Sequence, residues 1–144
     1  MKEPFQKMLS RPSFDSIYLR LAVDLAQRST CARRHVGCVI VSEDNQRVLS
    51  IGYNGSWKGG PNECDSSEPG KCGCLHGEEN ALIKLDYNDP VSKKIYTTTM
   101  PCVMCAKRII NAGIKEVIYL EEYRNKEGIE VLSKAGISCW QGSI

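Results

Sequence analysis

No stretch of this 144-residue chain stays apolar for long. The longest run of apolar residues and glycine, Val36 to Val41, falls far short of the about 20 residues that cross a bilayer as a helix, which excludes a helical membrane span. The opening residues, MKEPFQKMLS, lack the apolar core and cleavage site of a secretory signal. Charge of one sign is scarce as well. Nineteen Lys and Arg against 17 Asp and Glu leave a net charge of +2, too little for a basic stripe that tracks a nucleic-acid backbone. Internal repeats and linkers are missing, so the chain reads as one domain, able to bury roughly 70% of its unfolded surface. Apolar residues at 42% and charged residues at 25% fit a globular protein without membrane or nucleic-acid partners.

Cysteine, by contrast, is abundant, with eight in the chain. In a secreted protein these would form a disulfide framework. Without an export signal they read as metal ligands and buried thiols in a reducing cytoplasm.

Residues 1–11 sustain no period and are expected to form a flexible arm, leaving 12–144 as the domain. Ser13 is placed to cap a helix along which Phe14, Ile17, Tyr18, Leu21, Ala22, Leu25 and Ala26 recur at helical steps, an expected core stripe. Val36–Val41 predicts a strand buried on both faces, and Val48–Tyr53 its antiparallel partner across a turn at Glu43-Asp44-Asn45. Residues 54–75 keep no period and are punctuated by glycine and proline, with Cys64, Cys72 and Cys74 available to tie them down. Beyond them the spacing predicts a helix from His76 to Leu85 and a strand from Lys94 to Thr99. A helix follows, with Pro101 in its first turn and Gly113 as its stop, and then a strand over Val117–Leu120. A helix over Glu127–Ala135 ended by Gly136 and an edge strand over Ile137–Trp140 complete the chain. The order α-β-β-α-β-α-β-α-β predicts a three-layer α/β fold, a five-stranded mixed sheet with helices on both faces.

Two segments carry chemistry. In Pro101-Cys102-Val103-Met104-Cys105 the two cysteines, three apart at a helix start, share a face and gain thiolate character from the helix dipole. His76-Gly77-Glu78 supplies an imidazole at another helix start. His76, Cys102 and Cys105 make three zinc ligands and leave a tetrahedral position for water. Glu78, free of the metal, would take the water's proton, give it to the ring nitrogen beside the amine, and later help the departing ammonia. Glu79 reads instead as a carboxylate that complements the dipole or contacts a helix. Cys38 and Cys139, in apolar strands, read as inert core residues.

The chain resembles the deoxycytidylate (dCMP) deaminases of the zinc-dependent cytidine deaminase superfamily from about Arg11 to Trp140. The resemblance lies in Arg28-Ser29-Thr30-Cys31, Val36-Gly37-Cys38-Val39-Ile40, Gly52-Tyr53-Asn54-Gly55, His76-Gly77-Glu78-Glu79-Asn80-Ala81, Pro101-Cys102-Val103-Met104-Cys105-Ala106-Lys107 and Ile110-Asn111-Ala112-Gly113-Ile114. It implies a cytidine-deaminase-like fold and hydrolysis of dCMP to dUMP and ammonia, which feeds thymidylate synthesis. It also implies that Asn54 contacts the deoxyribose and that Tyr123, Arg28 and Ser29 are candidates for the 5′-phosphate or a neighbouring group. Gly77 stands where the family usually has alanine, keeping the backbone N–H and opening a little room at the substrate. Such enzymes form homo-oligomers, dimers or hexamers, in which Trp57 or Trp140 could take part. In several members the loop after Gly52-Tyr53-Asn54-Gly55 takes part in regulation by dCTP and dTTP, but here it continues as Ser56-Trp57-Lys58-Gly59 rather than toward proline. Phage relatives also imply a structural zinc near Cys31, Cys64, Cys72 and Cys74, with His35 able to replace one thiol; free or partly oxidised thiols are the alternative. Within the same chemistry the rival substrates are another nucleoside, a free base or tRNA adenosine. From another class, the rival is a zinc-stapled binding module without catalysis, against which Glu78 speaks.

Overall fold

The computed structural model of the protein describes residues 11–63 and 72–144. The arm expected over residues 1–11 therefore lies, apart from Arg11, outside the described residues. Helix α1 (Phe14–Ala26) begins at Ser13, whose hydroxyl accepts from the Ser16 N–H at 3.1 Å. Strands β1 (Gly37–Ser42) and β2 (Val48–Tyr53) pair antiparallel through a turn in which Asn45 adopts φ 67°. There follow α2 (Gly77–Ile83), β3 (Lys93–Thr99), α3 (Val103–Asn111), β4 (Glu116–Glu121), α4 (Glu127–Lys134) and β5 (Ser138–Gln141). Gly113 (φ 79°) and Gly136 (φ 78°) stop α3 and α4 in the left-handed conformation that glycine adopts without strain.

The five strands form one sheet in the order β2-β1-β3-β4-β5. β3, β4 and β5 run parallel through helical crossovers, whereas β1 runs antiparallel to both β2 and β3. The start of β1 consequently shares a sheet edge with the ends of β3 and β4. Alternation along the central strands divides the core in two. Cys38, Ile40, Ile95 and Val117 face α2, α3 and α4 with Ala81, Ala106, Ile109 and Leu132. Val39, Val41, Tyr96 and Ile118 face α1. Every residue of β1 and β3 is buried, as a strand covered by helices on both faces requires.

The α1 stripe is rotated from the expected one. Tyr18, Leu19, Ala22 and Ala26 are buried, while Phe14 is 46% and Ile17 41% exposed. With apolar residues on several flanks, spacing alone leaves the phase of a helix open, and packing against Tyr96 and Val39 selects it. Two helix starts, those of α2 and α3, are also later than predicted. His76 and Cys102 are N-caps rather than first-turn residues, and Pro101 stands just before the cap.

The docking of α2 depends on Gly52 in β2. A β-carbon at that position would lie 2.5 Å from both the Ala81 nitrogen and the Gly77 oxygen, which is backbone that cannot yield. Gly52→Ala should therefore destabilise the fold by about 2 kcal/mol through overpacking. For a domain of this size that corresponds to a fall of about 4–8 °C in Tm, readable by thermal denaturation.

Candidate active site

The starts of α2 and α3 meet beyond the carboxyl ends of β3 and β4, the edge at which α/β sheets present ligands. His76 enters from a loop pinned by Leu75, whose backbone exchanges hydrogen bonds of 2.7 and 3.1 Å with Gly55. The His76 N–H donates to Glu79 Oε1 at 2.9 Å, and the other Glu79 oxygen lies 3.3 Å from the Arg108 guanidinium of α3. Glu79 thus ties the start of α2 to the last turn of α3, the helix-contacting role expected of it. On α3, Cys102 Sγ accepts from the Cys105 N–H at 3.5 Å.

His76 Nδ1 stands 3.2 Å from Cys105 Sγ and 3.5 Å from Cys102 Sγ. The three donor atoms all lie within 4.8 Å of one another, and among the described residues no fourth side chain joins the group. One imidazole nitrogen and two sulfurs are a soft set with the ligand number of an open zinc site. Its electrostatics suit a cation: the Cys102 thiol is pushed down to about 3, chiefly by its hydrogen bond with Cys105 and further by His76. Cys105, which keeps the shared proton, is pushed up by that bond and by burial. Hydrogen bonding to Cys102 raises His76.

Glu78 lies beside the group without belonging to it. It is 5% exposed, and burial raises its carboxyl to about 7. It opens, with His76, Gly77 and Cys102, on a cavity of about 620 Å³.

Other expected site residues divide between two cavities. Asn54 and Tyr123 line the one at Glu78. Asn54 Oδ1 accepts from the Val36 N–H at 2.9 Å and its Nδ2 donates to the Arg34 oxygen, which holds the segment before β1 and leaves one amide N–H over. Arg28 does not reach this cavity. It lines a neighbouring one of about 700 Å³ together with Trp57, Lys58 and Lys84, and lies 6.0 Å from the Tyr53 ring. Ser29 accepts from the Cys31 N–H at 3.2 Å and so braces a turn. The cations at the Glu78 cavity are instead Arg33, Arg34 and Arg124, with the Arg34 guanidinium 4.8 Å from the Tyr123 ring centre. Sequence reasoning gave none of these three arginines a role. Their signal was positional: one group precedes β1 and the other follows β4, and antiparallel pairing brings those ends to one edge.

Cys31, Cys72 and Cys74 form a second group with sulfurs within 4.8 Å of one another, in the wall of the same cavity. Cys31 and Cys72 are 3.7 Å apart, and Cys72 accepts from the Cys74 N–H. Cys64 lies outside the described residues, and His35 is not in the group.

The family model for the cytidine and deoxycytidylate deaminase zinc-binding region matches residues 12–121. The chain is 42% identical over 156 aligned residues to a deoxycytidylate deaminase of Saccharomyces cerevisiae, covering 99% of this chain and 49% of the relative. It spans about half the length of the yeast relatives it matches. A deoxycytidylate deaminase of Mycobacterium phage D29 is 35% identical, with 79% of this chain and 99% of the phage protein covered. Among solved structures, the dCMP deaminase of cyanophage S-TIM5 in complex with dCMP and dUMP superposes with a TM-score of 0.76 at 34% identity, covering 88% of this chain and 94% of that one.

Glu78 also makes stability depend on pH. Its folded value of about 7 stands above the 4.5 of an ordinary glutamate, so the folded metal-free protein holds a proton that the unfolded chain releases. That contribution is complete below about pH 4.5 and is lost as pH rises through 7. In chelator-treated protein Glu78→Gln should exceed wild type by up to about 3 kcal/mol at about pH 8 and show no advantage at about pH 4, measured by urea denaturation.

Proposed function

The chain belongs to the cytidine and deoxycytidylate deaminase family, and from that premise we propose that it hydrolyses dCMP to dUMP and ammonia, a supply of dUMP for thymidylate synthesis. The observation that carries this reading is the convergence of His76, Cys102 and Cys105 beside a buried carboxylate that stays outside their group. These three residues would hold the zinc, which when bound supplies Lewis acidity that brings the pKa of water to about 7. Glu78 takes one proton of the attacking water at its carboxylate and gives it to the ring nitrogen beside the amine, then takes the second and passes it to the departing ammonia. A carboxyl poised at about 7 serves both as acceptor and as donor near neutrality.

At the far wall Arg33, Arg34 and Arg124 provide the charge for a 5′-phosphate, with Tyr123 stacked on Arg34 to hold one guanidinium in place. Asn54, fixed at Val36 and Arg34, has an amide N–H for the deoxyribose, and Gly77 leaves room at the base. Arg28 belongs with the second cavity, where Lys58, Lys84, Trp57 and Tyr53 suit an effector nucleotide such as dCTP or dTTP. Ser29 supports that wall through Cys31. Cys31, Cys72 and Cys74 would hold a structural zinc, with Cys64 the candidate that the sequence offers for a fourth thiol. Trp57 at 66% and Ile83 at 70% exposure border the second cavity and favour assembly into a homo-oligomer, a dimer or hexamer. No helix among the described residues is long and apolar enough to cross a membrane, and Cys31, Cys38, Cys102, Cys105 and Cys139, none of them in a disulfide, suit the reducing cytoplasm.

Glu78→Gln should lower turnover of dCMP by at least about 100-fold while zinc content at the His76 site is kept. Deoxycytidine, which lacks the phosphate, should be a much poorer substrate; equal kcat/KM for the two would overturn the role given to the arginines. Wild-type protein should carry two zinc ions per chain, one of which is lost in Cys31→Ser, as read by metal analysis of dialysed protein.

A further inference from the structure

In the segment that joins α1 to β1, four exposed residues, 32–35, stand between two buried ones, Cys31 and Val36. Two of the four are Arg33 and Arg34, which line the cavity at Glu78. The ends of this stretch are held by different means. At the far end the Val36 N–H donates to Asn54 Oδ1 at 2.9 Å, and Asn54 Nδ2 donates to the Arg34 oxygen. At the near end the Cys31 sulfur, buried, stands 3.7 Å from that of Cys72, which lies 41 positions away in the chain. Cys74 completes the group, with all three sulfurs within 4.8 Å of one another.

The segments that meet at these sulfurs lead to different parts of the site. Beyond Cys31 the chain reaches Arg33 and then Arg34, whose guanidinium lies 4.8 Å from the Tyr123 ring centre. Beyond Cys74 it reaches His76. The cysteines and the arginines line the same cavity. A loose stretch binds a charged group weakly, because its side chains must be ordered at the moment of binding. Holding both ends beforehand removes part of that cost, and a metal clip that closes a long loop is an effective way to hold one. Three soft sulfurs, already gathered, are the donor set of a tetrahedral thiolate site.

We propose that Cys31, Cys72 and Cys74, loaded with zinc, form a positioning device for phosphate recognition. They fix the near end of residues 31–36, so that Arg33 and Arg34 are presented to the 5′-phosphate. This rests on the readings that these arginines meet the phosphate and that the sulfurs hold zinc. A metal that merely supported the fold would, when lost, slow nucleotide and nucleoside alike. Loss of this one falls on the nucleotide.

The test compares wild-type protein with Cys31→Ser by metal analysis, by kinetics on dCMP and deoxycytidine, and by titration calorimetry with dUMP. Cys31→Ser should lose one zinc ion per chain and keep the other. The ratio of kcat/KM for dCMP to that for deoxycytidine should fall about 10-fold, through KM for dCMP rather than kcat. The Kd of dUMP should rise by a similar factor. Cys31→Asp, which offers the metal a carboxylate oxygen, should keep both zinc ions and a ratio within about threefold of wild type. Should Cys31→Ser fold poorly by Tm, Cys72→Ser removes a sulfur from the other segment and should give the same fall. An unchanged ratio after loss of the metal, beside a strong wild-type preference for dCMP, overturns the proposal alone. So does Cys31→Ser that keeps both zinc ions, or Cys31→Asp that keeps both and still shows the lowered ratio. A wild-type ratio of about one would instead remove the phosphate role of the arginines, and wild-type protein with a single zinc ion would remove the metal at the sulfurs.

Discussion

Two helices begin at one edge of the sheet with their N-caps turned toward each other, and the rest of the site follows from that meeting. An N-cap residue sits in extended backbone with its side chain free to face the positive end of its own helix. His76 and Cys102 both occupy such positions, and Cys105 lies within the first turn of the second helix. The facing helix ends favour negative charge on sulfur, and the imidazole closes the group from the other side. Glu79 makes the meeting specific by binding the His76 N–H with one oxygen and approaching Arg108 with the other.

What surrounds this junction is continuous with it. The residues leading into His76 carry Cys72 and Cys74 of the second thiol group, and Leu75 is bridged to Gly55 beside Asn54. Asn54 in turn holds the backbone at Arg34 and Val36. One chain of hydrogen bonds therefore runs from the loop after β2 to the cationic wall of the cavity and to the start of α2. A change in any of these segments is felt at His76 because buried backbone polar groups tolerate few alternative partners. Below the junction, small residues set the height of α2 above the sheet: Gly52 admits the helix, and Gly77 admits the Cys38 sulfur under its first turn.

Much of the fold was readable from local pattern. The helix-strand order and the strand count came from periodicity, and both appear in the observed sheet. The buried character of β1 came from its unbroken apolar run. Less accessible was the phase of α1, where Leu19 is buried and Phe14 is not, because several apolar flanks compete and only the partner surface selects among them. Arg28 illustrates a harder limit. It lies close in sequence to Cys31, yet its side chain serves a different cavity, while Arg34 and Arg124, 90 positions apart in the numbering, share one.

Residue type and spacing by themselves determined which atoms can bind a metal and which carboxylate can serve it. The chemistry of imidazole, thiolate and carboxylate is intrinsic to the side chains, and a helix start fixes their local spacing. Tertiary structure decided everything that depends on distant segments meeting: the cations that face the cavity and the antiparallel placement of β1. The physical reason is that such contacts follow strand order and helix docking, which no short window of sequence contains.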